Sequence, residues 1–304
     1  MLGFGSMLKD YLDFYKISQT DFADRLGISK KHMNNILNGN SNISEELMLS
    51  ISLITDIDVN LIFYVENKKR LYDNLIKKYG NEKEIIKFLN TFSFKEMKER
   101  KWITLKDETS FVQNAIDLLD FLKISNFENI NKYLEKRILY KKQDSANLTK
   151  IYLWIKRCDE QIKLQNPKEY KKENLTNLFK VLKQEQNKKF NKERLIKIFN
   201  ENGIYLVIED ALSGTKVRGC TSVKQKNPAI YLTTYLKEKA SFYYVLYHEL
   251  SHVKTDYNKA KNKIIINEGE SIVEDKADKF ALNKMIDDNL YKLILSDRSN
   301  ERDI

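Results

Sequence analysis

Two of the chain's three histidines stand four residues apart, in His248-Glu249-Leu250-Ser251-His252. On a helix, residues four apart share a face, so both imidazoles can reach one metal ion. The glutamate one position after the first histidine then points beside the metal, where its carboxylate can take a proton from a bound water. The competing reading is a pair of surface histidines on an ordinary helix. With histidine this scarce, chance placement of the pattern is expected in well under about one such chain in a hundred. A catalytic zinc site uses three protein ligands and an open position, whereas four closed ligands make a structural site. No histidine follows His252, which excludes the extended pattern with a third one. Cys158 and Cys220 lie upstream without paired spacing, so the third ligand is expected to be a carboxylate, as in sites built from two histidines and a glutamate.

These ligands need two helices to carry them. The apolar stretch Ala240–Tyr247 before the motif can bury a helix, and Ser241 is placed to cap it. Downstream, residues Glu270 to Ile286 form the best helical pattern: Ile272, Val273, Ala277, Phe280, Ala281 and Met285 recur at three- and four-residue spacing. Glu274 falls one residue after Val273 and three before Ala277, near that inward face, and is the expected third ligand. Asp278, one turn on, is the expected partner that orients a ligating imidazole. The bland alternative for Glu274 is a solvated acid on a charged helix.

These residues carry a resemblance. HELSH, about twenty residues, then Glu274-Asp-Lys-Ala-Asp-Lys-Phe-Ala281 is similar to the ImmA/IrrE metallopeptidase family, whose pattern is HE[LI]GH followed by E-x-x-A-[ND]-x-F-A. The resemblance implies zinc (Zn2+) held by His248, His252 and Glu274, with Glu249 as general base. It extends upstream, where Gly203-Ile-Tyr-Leu-Val-Ile-Glu, Val217-Arg-Gly-Cys-Thr and Asn227-Pro-Ala-Ile-Tyr-Leu resemble the family's strands before the metal helix. The chain departs from the pattern in three places. Ser251 replaces the usual glycine, Asp256 stands where many members have another histidine, and the proline that often ends the last helix is missing.

The other end of the chain carries a second signal. Between residues 7 and 66, Ser18, Ser29 and Ser44 each precede a short helical segment, and Gly27 and Gly39 follow two of them, as caps and stops should. Two helices joined by a tight turn at Leu26-Gly27-Ile28 make a helix-turn-helix. The layout ISQTDFADRLGISKKHMNNILNGNSNIS resembles the Xre/Cro family of DNA-binding domains, matching at Gln19, Ala23, Gly27, Ser29, Ile36 and Gly39. In that family the second helix enters the major groove by its N-terminal half. Here that half offers Ser29, Lys30, Lys31, His32, Asn34 and Asn35, with lysine suited to phosphate or guanine and asparagine to adenine. Gln19, at the start of the preceding helix, is placed to touch a phosphate. The alternative is a helical interaction domain that no longer binds DNA, since residues 1–70 hold 8 Lys+Arg against 9 Asp+Glu, a net charge of −1.

The overall charge of +10 sits elsewhere. Residues 71–200 hold 29 Lys+Arg against 18 Asp+Glu, a net of +11, and residues 201–304 hold 16 of each. The basic middle can contact phosphates beside an operator or bind an acidic partner; the bland alternative is the codon bias of an A+T-rich genome, which favours Lys, Asn and Ile. Ala115–Leu122 and Leu148–Ile155 within it read as amphipathic helices. Lys101-Trp102-Ile, Asp117–Ser125 and Tyr152–Glu160 resemble the helical middle of one subgroup, in which a short Xre domain, a helical region and an ImmA/IrrE domain are fused. Some members of that subgroup are HigA-like antitoxins of addiction modules.

The expected architecture is therefore mainly α with a small α+β zincin-like C-terminal domain, behind an N-terminal five-helix helix-turn-helix domain. The expected boundaries are 1–66, 67–198 and 199–304. Neither a signal peptide nor an apolar run near eighteen residues is present, and two distant cysteines give no disulfide framework, as expected of a cytoplasmic protein with no membrane partner. Two functions fit. The first is a DNA-binding transcriptional regulator, a homodimer on operator DNA, whose zinc-dependent endopeptidase domain cleaves or inactivates a partner protein, a repressor or a toxin. The second is a transcriptional repressor or antitoxin whose zincin-like domain is a non-catalytic binding module. The intact Glu249 favours the first, because a merely structural site needs the histidines but not the base.

Overall fold

In the computed structural model, residues 3–106, 109–139, 145–215, 217–234, 238–266 and 272–286 are described. The chain is mostly helical and divides into two compact units, Met1–Leu89 with Leu105–Asp117, and Asn90–Thr104 with Leu118–Ile304.

The first unit opens with α1 (Phe4–Phe14), α2 (Gln19–Leu26), α3 (Lys30–Leu37), α4 (Glu45–Thr55) and α5 (Val59–Tyr79). The serines placed as caps act as caps. Ser18, Ser29 and Ser44 accept hydrogen bonds from the backbone N–H groups of Asp21, His32 and Leu47, each worth about 1 kcal/mol. Gly27 ends α2 with φ of 66°, the left-handed conformation that glycine adopts without penalty. Phe4, Leu8, Phe22, Met33, Ile36, Ile51 and Ile62 fill one core. Gly5 lets α1 and α3 meet there, since a Cβ on it would stand 1.9 Å from the Ile36 carbonyl oxygen. Helix α5 runs unbroken through Glu66, the residue at which the sequence reading ends the N-terminal domain. The buried Glu66 carboxylate accepts from the backbone N–H groups of Phe4 (3.3 Å) and Ile43 (3.0 Å), which ties α5 to the start of α1 and to the α3–α4 connection.

The chain continues through α6 (Glu82–Thr91), α7 (Phe94–Glu99), α8 (Phe111–Leu122), α9 (Asn129–Arg137), β1 (Ile138–Leu139), α10 (Ser145–Ile162), α11 (Asn174–Glu185) and α12 (Lys192–Glu201). Then come β2 (Tyr205–Ile208), β3 (Gly219–Lys224), β4 (Asn227–Leu232), α13 (Lys239–Thr255), α14 (Tyr257–Ala260), β5 (Ile264–Ile266) and α15 (Ile272–Met285). The amphipathic runs at 115–122 and 148–155 lie within α8 and α10, and the three apolar stretches at 203, 217 and 227 supply β2, β3 and β4.

The sheet has the order β1-β5-β3-β4-β2. β3 pairs antiparallel with β4 and with β5, whereas β2 runs parallel to β4 and β1 parallel to β5. Leu206, Ile208, Ile230 and Leu232 of the sheet share one core with Leu246, Leu250 and Val253 of α13 and with Leu178, Leu182, Leu195 and Phe199 of α11 and α12. Burying each such side chain stabilises the fold by about 1.5–3 kcal/mol. This core seats α13 against the sheet.

One boundary differs from expectation. Ser241 does not cap α13: the Phe242 N–H already donates to the Glu238 carbonyl at 3.0 Å, so the ladder starts at Glu238 and Ser241 lies inside the first turn. The last helix is described from Ile272, and the expected start at Glu270 and Ser271 lies outside the described residues. Among the described residues, no helix is long and apolar enough to cross a membrane.

Candidate metal centre and candidate DNA interface

Helix α13 is enclosed nearly all round. From Phe242 to Val253 every residue but Tyr244 is buried, and four of the buried ones, His248, Glu249, Ser251 and His252, are polar. Buried polar groups cost free energy unless they find partners. Helix α15 supplies them. Its small residues Ala277 and Ala281 are buried, which lets the helix lie close to α13 and brings Glu274 and Asp278 to the histidines.

His248 Nε2 stands 3.0 Å from Glu274 Oε2 and 3.1 Å from His252 Nε2, and His252 Nε2 stands 3.6 Å from Glu274 Oε1. The ligand atoms of the three residues lie within 4.8 Å of one another, a group that could hold a metal ion. The other ring nitrogens face carboxylates: His248 Nδ1 is 2.8 Å from Asp278 Oδ1, and His252 Nδ1 is 3.3 Å from Asp256 Oδ2. With both Nδ1–H groups donating to these acids, the neutral form of each imidazole carries its lone pair on Nε2. Two lone pairs 3.1 Å apart repel unless a proton or a cation lies between them.

The local charges follow the same geometry. For His252, burial opposes the imidazolium, but the Glu274 hydrogen bond and the Glu249 charge overcome it and carry the imidazole up to about 9. His248 is raised by the same balance of burial against Glu274 and Glu249. Glu274 answers in the opposite sense: burial pushes its carboxyl up, while hydrogen bonds from His248 and His252 prevail and bring it to about 2.

Glu249 is wholly buried. Thr221 Oγ1, from β3, donates to its Oε2 at 2.6 Å, while its Oε1 has no hydrogen-bond partner among the described residues. Burial raises the Glu249 carboxyl above its ordinary range, against the pull of His252, His248 and Thr221. Gly219 at the start of β3 makes room for it, since a Cβ there would stand 2.8 Å from Glu249 Oε1.

Sequence reasoning passed over three of these partners. Asp256 is buried and accepts from Lys259 Nζ (2.7 Å) and Thr255 Oγ1 (2.9 Å) as well as facing His252. Burial pushes its carboxyl up, and the hydrogen bonds from Lys259, Thr255 and His252 hold it below the usual range. Its position four residues after His252 was the available signal, because that spacing puts it on the same helix face. Thr221 and Gly219 carry no comparable signal, since only the packing of β3 under α13 brings them to Glu249. Tyr244 is a further neighbour: its hydroxyl, raised first by burial, hydrogen-bonds Asp278.

At the other end, Ser29, Lys30, Lys31 and Asn34 are exposed on the N-terminal half of α3, and His32 and Asn35 are half-buried. Gln19 is half-buried at the start of α2. Met33, Ile36 and Leu37 form the opposite, buried face of α3. Ser29 is spent on the cap, and Asn34 Oδ1 accepts from Asn38 Nδ2 at 3.0 Å. Lys30 and Lys31 are exposed and make no ion pair among the described residues.

The helix-turn-helix family model HTH_3 matches residues 8–62. No curated protein and no solved structure matches the chain. The chain thus carries an Xre-type helix-turn-helix domain, which supports a DNA-binding transcriptional regulator.

Proposed function

We propose that the chain is a cytoplasmic transcriptional regulator, a homodimer on operator DNA, whose C-terminal domain is a zinc-dependent endopeptidase of the ImmA/IrrE type acting on a partner protein, a repressor or a toxin. In this reading residues 1–66 read DNA, 67–198 connect, and 199–304 form the zincin-like domain. His248, His252 and Glu274 hold the metal.

The observation that carries the reading is the convergence of two Nε2 atoms and one carboxylate beside a buried glutamate, one oxygen of which has no partner among the described residues. Donor atoms about 2.0–2.1 Å from a tetrahedral zinc ion stand about 3.3 Å apart. The separations of 3.0, 3.1 and 3.6 Å suit that arrangement. Asp278 and Asp256 fix the tautomer and ring orientation of the two imidazoles, as carboxylates behind ligating histidines do. Bound zinc would supply Lewis acidity and bring the pKa of a ligated water to about 7. Glu249 would accept the proton at Oε1, the oxygen that Thr221 leaves free. Its burial makes it a better base than a solvated glutamate. Gln19, Ser29, Lys30, Lys31, His32, Asn34 and Asn35 would face the DNA, the lysines on phosphate and the asparagines on base edges.

Glu249→Gln tests this reading. The variant is expected to keep its metal, its fold and its operator binding, and to lose about 10²–10⁴-fold in cleavage of the partner, the usual effect of removing a general base. Identical regulation by wild type and Glu249→Gln in cells, with no partner cleavage by either, would discard the peptidase. It would leave a repressor or antitoxin with a non-catalytic metal module.

A further inference from the structure

We infer that a concave groove bounded by α11 and the C-terminal ends of α13 and α15 is a docking site for an acidic peptide segment of a partner protein. The groove has a cavity of about 500 Å³, and five of the residues lining it are Lys172, Lys180, Lys183, Lys254 and Lys284, around Phe179. Among the described residues, no aspartate or glutamate lines it. None of the five lysines forms an ion pair among the described residues, although lysines elsewhere in the chain pair freely, as Lys188 and Lys259 do. The inference is independent of the metal reading.

Ordinary helix electrostatics do not account for this charge. Lys183, Lys254 and Lys284 each sit in the last turn of a helix, where a cation complements the C-terminal end of the macrodipole. Each such end is equivalent to about half a negative charge. Three of them offset about 1.5 of the five positive charges and leave a net charge of about +3.5 in one concave surface. Such a surface is a steering field for an anion.

The floor and lip select a peptide over a duplex. Phe179 packs edge-on to Phe280, with ring centroids 5.4 Å apart. Lys254 Nζ lies 5.2 Å from the Phe280 ring, and Lys284 Nζ lies 5.3 Å from the Phe179 ring. These cation–π contacts hold the ammonium groups along the lip of an aromatic floor. A segment with carboxylates for the lip and an apolar side chain for the floor meets both features. A DNA backbone is convex and offers phosphates but nothing for a recessed aromatic floor. Lysine's rotatable point charge suits carboxylates at varied spacing, which a flexible acidic segment presents.

The test uses the full chain and a dye-labelled peptide of eight glutamates around one central phenylalanine, read by fluorescence anisotropy at low salt. The triple variant Lys180→Glu/Lys183→Glu/Lys254→Glu is expected to bind at least tenfold more weakly than wild type. A control triple reversal outside the groove, Lys83→Glu/Lys87→Glu/Lys95→Glu, is expected to change binding less than threefold. Thermal melting of both variants should stay within a few degrees of wild type, because the reversed side chains are exposed and the contacts they lose, such as Lys254 on Phe280 and Lys87 with Glu84, are surface ones. Absence of peptide binding by wild type, or equal losses in the two variants, would overturn the proposal. So would a random-sequence 20-base-pair duplex that loses as much affinity as the peptide in the groove variant, since the groove would then be a nucleic-acid contact.

Discussion

Thr221 Oγ1 holds one oxygen of the Glu249 carboxylate at 2.6 Å, and Gly219, two residues earlier on the same strand, clears the space around the other. The carboxylate is therefore aimed by β3 and not by its own helix. Thr221→Val keeps the shape of the side chain but removes its hydroxyl, leaving a wholly buried carboxylate without that donor. The expected cost is about 1–3 kcal/mol, read as a lowered melting temperature. Gly219→Ala acts by sterics. Its Cβ would stand 2.8 Å from Glu249 Oε1 and 3.0 Å from Leu232 Cδ2, so the carboxylate must move. Neither residue is a proposed ligand, so both variants should keep the metal content of wild type. A Thr221→Val protein that melts with wild type would show that the bond carries no weight.

The proposed metal centre predicts one zinc per chain. His248→Ala removes a ligand at the centre of the cluster, whose Nε2 is within 3.1 Å of both other donors, and should abolish binding. Glu274→Ala leaves the two imidazoles and should weaken binding. Asp256→Asn keeps all three ligands and removes only the charge behind His252, so a loss of about 10–100-fold in affinity is expected. Elemental analysis and competition with a chelator measure all three. A wild-type protein that takes up no transition metal even when zinc is supplied would end the metal reading.

For the N-terminal domain the prediction is a pseudo-palindromic operator near the chain's own promoter, with half-sites about one helical turn apart, bound by a dimer. Lys31, exposed and without an ion pair among the described residues, should contribute a phosphate contact. Lys31→Ala should weaken binding to every sequence and flatten the salt dependence. Asn35→Ala should relax preference at particular bases. Asn34→Ala should do so less cleanly, because the Asn34 amide is already engaged by Asn38. Gel retardation at several salt concentrations separates these effects. Failure of the full chain to retard promoter DNA at low salt would remove the regulator reading.

The legible parts of the molecule were those set by local chemistry. Serine caps and a left-handed glycine fixed α2, α3 and α4 from the sequence alone, because a cap and its helix are at most three residues apart. The spacing of His248 and His252, and of Glu274 and Asp278, placed each pair on one helix face. What periodicity could not give was the partner across the fold. Thr221 and Gly219 meet Glu249 through the β3–α13 packing, 28 and 30 residues away in sequence. Asp256 was visible as a departure from a family pattern but not as a support for His252, because its role depends on the ring orientation of that histidine. The start of α13 was misplaced for a related reason. Ser241 is a good capping residue by type, but the backbone ladder from Glu238 had already begun. Nothing local marks Glu66 as buried, yet it lies inside α5 with its carboxylate under two backbone N–H groups that come from distant parts of the chain.

A last prediction concerns pH and lies away from the proposed metal ligands. Glu185, at the end of α11, is only 5% exposed. The hydrogen bond from Lys188 Nζ (2.7 Å), joined by that from Arg194 Nε (2.5 Å), outweighs the burial penalty and holds its carboxyl below the ordinary glutamate range. Both cationic partners are about half exposed, so the pair is screened and Glu185→Gln should cost about 1 kcal/mol at pH 7. A carboxyl depressed in the folded state contributes stability that is fully present above its unfolded value, about 4.3, and is lost as pH falls through the folded value. The difference in melting temperature between wild type and Glu185→Gln should therefore be constant from pH 7 to about 5 and shrink below about pH 4. A difference that grew as the pH fell would reverse the sign and show that Glu185 is not held as a carboxylate by Lys188 and Arg194.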